Sequence, residues 1–297
     1  MVDSEIIKFK GVTKSFKKNL ILEKTDFDIS ENKITGLIGN SGSGKTTLLK
    51  LMIGFYKPTK GRIEYLRKDI RKETKDIEKY FGFSTEGGSF YDKLTIEENL
   101  NYFGKLYRIK EKEIKNNAKE LMKLVELYDA RNTLAENLSI GMKKRLDIIC
   151  ALIHKPKVLI MDEPTADLNP LLRKEIIKKI KKINKKGTTV IVTTQIIEEA
   201  DDFFDDVLIL ANKQIIEKGD VRKIKNKYNK KSLWEVFENL SNKEKKEEKE
   251  NSETSNNKDS ENKEKKKGED REGSSEDGKE EGSEDDKKEE PKEDEEK

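Results

Sequence analysis

Short apolar runs recur along the chain at Ile6 to Phe9, Phe27 to Ile29, Ile34 to Ile38, Val158 to Met161, Val190 to Thr193 and Val207 to Leu210. Their length and their wealth of β-branched residues predict strands. Between several of them the apolar positions change to helical spacing, over Lys45 to Ile53, Ile96 to Leu106, Ile114 to Leu127, Ile140 to Ile153 and Leu171 to Asn184. Strands alternating with helices predict an α/β fold, a mainly parallel sheet with helices on its faces. Thr95 with Glu98 has the spacing of a capping box, and so does Ser232 with Glu235, ahead of a short helix through Leu240. From Phe81 to Leu127 two helical patterns follow without a clear strand between them, so 96 to about 139 reads as a helical subdomain. No internal repeat occurs, which predicts one site per chain.

The apolar pattern ends before Ser241. From there to Lys297 none of Ala, Val, Ile, Leu, Met, Phe, Trp, Tyr or Cys appears, while fifteen basic and twenty-four acidic residues fill most of the 57 positions. A segment with nothing to bury cannot offset its ordering entropy, so 241–297 is expected to be a disordered charged tail and 1–240 the folded domain. The tail carries −9 and the whole chain +3, which leaves the folded part at +12. A basic body suits a nucleotide, an anionic membrane leaflet or nucleic acid, or serves solubility alone; charge does not choose among them. Cys150 is the single cysteine, so no intramolecular disulfide forms and the reducing cytosol is the expected compartment. The start, MVDSEIIKFK, predicts no signal peptide, and no apolar stretch approaches the ~18 residues that cross a bilayer. Membrane association is therefore expected only through a partner.

Chemistry enters at Gly39, Asn40, Ser41, Gly42, Ser43, Gly44, Lys45 and Thr46, which fit G-x-x-x-x-G-K-[ST] between a predicted strand and a predicted helix. The glycines let successive backbone N–H groups turn inward, and the helix N-terminus beyond them adds its dipole, so the loop attracts phosphate oxygens. Lys45 is expected to reach the β- and γ-phosphates of ATP and the Thr46 hydroxyl to hold Mg²⁺, with Thr47 next in line as a nucleotide contact. The strand Val158 to Met161 delivers Asp162 and Glu163 to the sheet edge where such folds bind ligands. Asp162 is the candidate to position Mg²⁺ and Glu163 the general base for the attacking water.

At Leu138, Ser139, Ile140, Gly141 and Met142, twenty-three residues ahead of Asp162, the sequence resembles the signature motif of ABC-type ATPases. The resemblance covers about 4 to 240, because the phosphate loop, this motif, the Asp-Glu strand and the PTADLNP segment from Pro164 to Pro170 follow in family order and spacing. It implies a P-loop NTPase fold of ABC type, with a mainly parallel sheet core, an antiparallel β edge region and a helical subdomain. It further implies that two such domains meet head to tail, each signature closing over the ATP of the other chain. Ser139 and Gly141 then join the nucleotide-binding residues; the plain alternative for Ser139 is a helix N-cap, and both can hold. Phe16, twenty-three residues before Gly39, falls where the family stacks an aromatic ring on adenine, although a lone aromatic reads equally as core.

The chain looks like the separate ATP-binding subunit of an ABC transporter, closest to exporter or multidrug types in the wording around Phe90 to Leu100 and Ser139 to Arg145. The implied partners are a transmembrane permease subunit, docked near Glu86 to Tyr91 and Tyr102 to Tyr107, and a second ATPase chain in a homodimer or heterodimer. The implied location is cytoplasmic, peripheral on the membrane through that permease. Two other readings stand: an ATP-dependent dimerisation switch, and a soluble protein acting on nucleic acid. The latter is disfavoured by the lack of a second ATPase domain or coiled-coil arms.

Three positions depart from the family pattern. Glu86 stands where the family has a glutamine that touches Mg²⁺ and the attacking water, and its carboxylate can still bind Mg²⁺ while bringing a negative charge toward the γ-phosphate. Asn169 stands where the family has an aspartate, and Gln195 where it has a histidine bonded to the γ-phosphate. The sole histidine, His154, lies elsewhere and is expected to be structural. Gln195 donates a neutral amide bond but carries no positive charge. Loss of one transition-state donor costs about 10²–10³ in rate, so the departures predict slow hydrolysis.

Overall fold

The computed structural model describes residues 4–72, 77–197 and 200–241. In chain order the elements are β1 Glu5–Phe16, β2 Asn19–Ser30, β3 Ile34–Ile38, α1 Lys45–Met52, β4 Lys60–Tyr65, β5 Lys68–Asp69, β6 Phe81–Ser84, α2 Ile96–Leu106, α3 Glu111–Leu124, α4 Ile140–Leu152, β7 Val158–Met161, α5 Pro170–Asn184, β8 Thr189–Thr194, β9 Asp206–Ala211, β10 Gln214–Asp220 and α6 Val221–Tyr228. Helical backbone also runs over 233–241.

The strands form two sheets. One is antiparallel, in the order β2-β1-β4-β5; the other runs β10-β9-β3-β8-β7-β6 and is parallel except for β10 at its edge. Side chains of a strand alternate between faces, and both faces of the six-stranded sheet are buried. Ile38, Leu159, Met161, Val190, Val192 and Ile209 pack into one cluster with α5 and part of α4. Their neighbours Leu37, Val158, Ile160, Ile191, Leu208 and Leu210 pack into a second cluster with α1 and the antiparallel sheet. That two-sided burial is why the core strands read in the sequence as continuous apolar runs.

A third cluster joins α2, α3 and the segment through Leu138 to Leu146, Ile149, Cys150 and Ile153. At α2, Thr95 Oγ1 accepts the Glu98 N–H at 3.2 Å and the Glu98 carboxylate accepts the Thr95 N–H at 2.8 Å, completing the expected box. The second box is only half formed. Ser232 Oγ accepts the Glu235 N–H, but the Glu235 carboxylate takes the N–H of Lys231 instead. The helix expected from Ile114 begins one turn earlier, at Glu111, since exposed charges fill a first turn as readily as apolar residues. Sequence pattern missed β4, β5, β10 and α6. β4 turns only Ile63 and Tyr65 fully inward, and β10 is an edge strand with no fully buried residue. The expected tail, apart from Ser241, lies outside the described residues.

His154 follows α4. Its ring lies flat against Tyr107, with centroids 3.6 Å apart, and its Nε2–H donates to the Phe81 carbonyl at 2.9 Å. Burial lowers its pKa from 6.5 to about 4. Between those two values the unfolded chain holds a proton that the folded chain does not, so this group removes stability as pH falls through the window. As the only imidazole in the chain, His154 is expected to give a single pair of ring C–H resonances in an NMR titration, Hδ2 and Hε1, with a midpoint near 4 rather than 6.5.

Candidate functional site

Parallel register brings the carboxyl ends of β3, β8, β7 and β6 to one edge. Ile38 pairs with Thr194, Met161 with Val192, and Ser84 with Met161. The residues that follow each strand therefore converge: Gly39 after β3, Gln195 after β8, Asp162 and Glu163 after β7, and Glu86 shortly after β6.

The loop from Gly39 to Gly44 curls because of its glycines. Gly44, the N-cap of α1, sits at φ +105°, and a Cβ on Gly39 would lie 2.5 Å from the Leu210 carbonyl oxygen. Lys45 turns back over the loop and donates to the carbonyls of Gly39 at 2.9 Å and Asn40 at 3.1 Å. Asn40, Ser41 and Gly42 are exposed along the outer curve and Thr47 is half-buried in the first turn of α1. Ser43 Oγ is buried with no protein partner.

Opposite the loop, each oxygen of the Asp162 carboxylate accepts one hydroxyl. Thr46 Oγ1 donates to Oδ2 at 2.8 Å, and Thr193 Oγ1 donates to Oδ1 at 2.7 Å. The Glu163 N–H in turn donates to Thr193 Oγ1 at 2.8 Å. Glu163 takes a left-handed backbone, φ +49°, which is uncommon for a residue with a side chain and aims its carboxylate back toward the loop. Its Oε1 lies 3.7 Å from Lys45 Nζ, beyond hydrogen-bond reach, and is buried without a hydrogen-bond partner; its Oε2 accepts the Gln195 N–H at 3.2 Å. Burial pushes the Glu163 carboxyl up, opposed by the Lys45 charge and by hydrogen bonds from Gln195. Burial likewise lowers Lys45, opposed by Glu163 and Asp162.

These groups fit a Mg²⁺-nucleotide. Mg²⁺ takes a hydroxyl and one or two carboxylates alongside phosphate oxygens, the donor set that Thr46 and Asp162 present, while Ser43 Oγ in the loop and Glu163 Oε1 beside Lys45 are buried without a hydrogen-bond partner. Glu86 lies exposed at the rim, near enough for its charge to act on Lys45. Gln195 is exposed and, through its backbone, holds Glu163. Phe16 is partly exposed, with its ring edge-on to Tyr56 at 5.0 Å and beneath Lys14 Nζ at 4.5 Å, so it is not core.

Ser139 and Gly141 are not part of this cluster. Ser139 caps α4, its Oγ accepting the Met142 N–H at 3.3 Å, while Gly141 packs close to Leu172 of α5. Asn169 likewise caps α5, accepting the Leu172 N–H at 3.0 Å. The residue that sequence reasoning missed is Thr193, which joins Asp162 to Glu163. The available signal was a hydroxyl at the carboxyl end of an otherwise apolar buried strand.

Comparison with known proteins gives a consistent answer. A family model described as ABC transporter matches residues 22–166. The linearmycin resistance ATP-binding protein LnrL of Bacillus subtilis is 32% identical over 214 residues, covering 72% of this chain and 69% of that protein. ABC transporter G family member 23 of Dictyostelium discoideum is 32% identical over 242 residues, 81% of this chain, but the chain spans only about a third of that relative's length, 34%. A solved ATP-binding subunit of an ABC transporter superposes with a TM-score of 0.71 at 26% identity, over 80% of this chain and 99% of that one.

The Thr193 hydroxyl satisfies two buried groups at once, so Thr193→Val, equal in shape, is expected to destabilise the fold by about 1–3 kcal/mol by stranding both. Urea unfolding at constant m-value checks this; an unchanged midpoint would show the hydroxyl to be dispensable.

Proposed function

The chain belongs to the ABC transporter ATP-binding family, and from that premise we propose that it binds MgATP at the Gly39–Thr46 loop and hydrolyses it to drive a transmembrane partner. The observation that carries this reading is the 2.8 Å bond between Thr46 and Asp162, residues 116 apart in sequence, with Lys45 and Glu163 beside them. In this reading 1–240 is one ATPase domain, with 96–139 as its helical subdomain.

Lys45 and the loop N–H groups hold the β- and γ-phosphates, while Thr46 and Asp162 hold Mg²⁺, which supplies charge neutralisation on the phosphate oxygens. Glu163 orients a water for in-line attack and takes its proton. Its raised pKa suits that task, because a base works best when its affinity for the proton is near the working pH. Lys45 now faces Glu163 at 3.7 Å and turns to phosphate when nucleotide enters. Phe16 stacks on adenine. Ser139 caps the helix and Gly141 lies in its first turn, an N-terminus with no phosphate of its own chain to meet, which favours a head-to-tail dimer in which the two close over the partner's ATP.

A permease subunit is the proposed membrane partner. Tyr91 and Tyr102 are exposed and touch each other, ring edge to ring face at 4.7 Å, and amphipathic aromatics of this kind suit a protein partner. Among the described residues no helix is long and apolar enough to cross a membrane. The second reading, a switch or a partly degenerate subunit paired with a different ATPase chain, is favoured by Gln195, which places a neutral amide where an imidazole is expected.

Steady-state ATPase measurements on the purified chain test both readings. Slow turnover that disappears in Glu163→Gln, with ATP-dependent dimers accumulating, is expected of a homodimeric ATPase. Gln195→His is expected to raise kcat by about 10²-fold with little change in KM, as restoration of one transition-state donor should. No turnover in any of the three, despite ATP binding, would favour the switch or the heterodimer.

A further inference from the structure

Asp147 lies in the middle of α4 and is only 1% exposed, a costly place for a carboxylate unless it is hydrogen-bonded. Burial pushes its carboxyl up, yet its bonded partners are not cations. Oδ2 accepts the Ser84 hydroxyl at the end of β6, and Oδ1 accepts the Ser89 N–H at 2.6 Å. One carboxylate thus ties together both ends of the turn that carries Glu86. That turn needs an anchor, because Glu86 is followed by Gly87 and Gly88, the latter at φ +82°, and glycines leave a backbone loose. One turn of helix earlier, Lys144 Nζ donates to the Glu86 carbonyl itself at 2.6 Å. The strand beneath is fixed as well, since the Asp162 N–H donates to the Ser84 carbonyl at 2.9 Å.

We propose that Asp147, together with Lys144, is a positioning residue that binds the Glu86 turn and the helix headed by Ser139 and Gly141 into one body. A change in the turn on nucleotide binding is thereby passed to the Ser139 end of the helix, within the same chain. The proposal rests on the nucleotide reading given above. A fully bonded buried polar network fixes one arrangement of the elements it joins, which gives the buried carboxylate its purpose here. Lys144 reinforces the link from the exposed side, and no rotation of α4 leaves the turn behind while the three bonds persist.

Amide hydrogen exchange of the full chain, with and without MgATP at a concentration where light scattering finds monomer, tests this. In the wild type MgATP is expected to slow exchange in 84–91 and 139–145 together. Asp147→Ala is expected to speed exchange around Ser89 about tenfold, keep MgATP affinity within about threefold, and abolish the nucleotide effect on 139–145. Asp147→Asn, whose Oδ1 still accepts the Ser89 N–H, is expected to restore that effect, which a general loss of stability would not do. If Asp147→Ala fails to fold, Ser84→Ala and Lys144→Met each remove one bond and are expected to weaken the effect. A nucleotide effect on 139–145 that is absent in the wild type, or undiminished in the variants, overturns the proposal. Failure of the wild type to bind MgATP by calorimetry overturns the nucleotide reading itself, and the proposal with it.

Discussion

The structure turns on the carboxylate of Asp162. Each of its oxygens takes a hydroxyl from a different element, Thr46 from α1 and Thr193 from β8, while its own strand lies beside β6. A carboxylate bonded this way holds three elements to within the few tenths of an ångström by which hydrogen-bond lengths vary. The start of α1 cannot drift from the sheet, so the loop before it keeps its curl, and Thr193 carries the constraint on to the backbone of Glu163.

Electrostatics explains why this arrangement is poised for a ligand. Lys45 and Glu163 are both buried and face each other at 3.7 Å, too far for a hydrogen bond. Burial works against both charges, and their mutual attraction opposes it only in part. In the proposed function an incoming polyanion would give Lys45 a better partner, and a water would give Glu163 one. The same desolvation that strains the pair strengthens every interaction made with phosphate, because the local dielectric is low.

The helical region is not an appendage to this core. Ile148, Ala151 and Leu152 of α4 pack into the sheet cluster with α5, while Leu146, Ile149 and Cys150 of the same helix pack into the cluster with α2 and α3. One helix therefore serves as a wall for both. Its hydrophobic residues wrap nearly all round, as a helix buried on two sides requires. The buried Asp147 sits on this shared wall, where a polar contact can link the two packing units.

Local chemistry made much of this legible beforehand. The core strands announced themselves because both faces are apolar, and the phosphate loop because glycine, lysine and threonine at fixed spacing have one backbone solution. Asp162 and Glu163 could be named because a strand that ends in two acids, by itself an ordinary solvated strand end, occurs in a chain that also carries the phosphate loop. Edge elements such as β10 were silent, since a half-exposed strand of seven residues carries little periodic signal. What only the tertiary structure decided is which groups meet. Thr193 and Asp147 are ordinary in their own segments, and their meaning comes from partners 31 and 63 residues away. Register between parallel strands is set by packing of whole sheets, a sum over many contacts, and not by any one stretch of chain. The sequence determined the loop, the acids and the core strands by short-range stereochemistry and burial; the fold decided the hydroxyl bridges and the anchoring of the Glu86 turn, because those bonds exist only after distant strands have come into register.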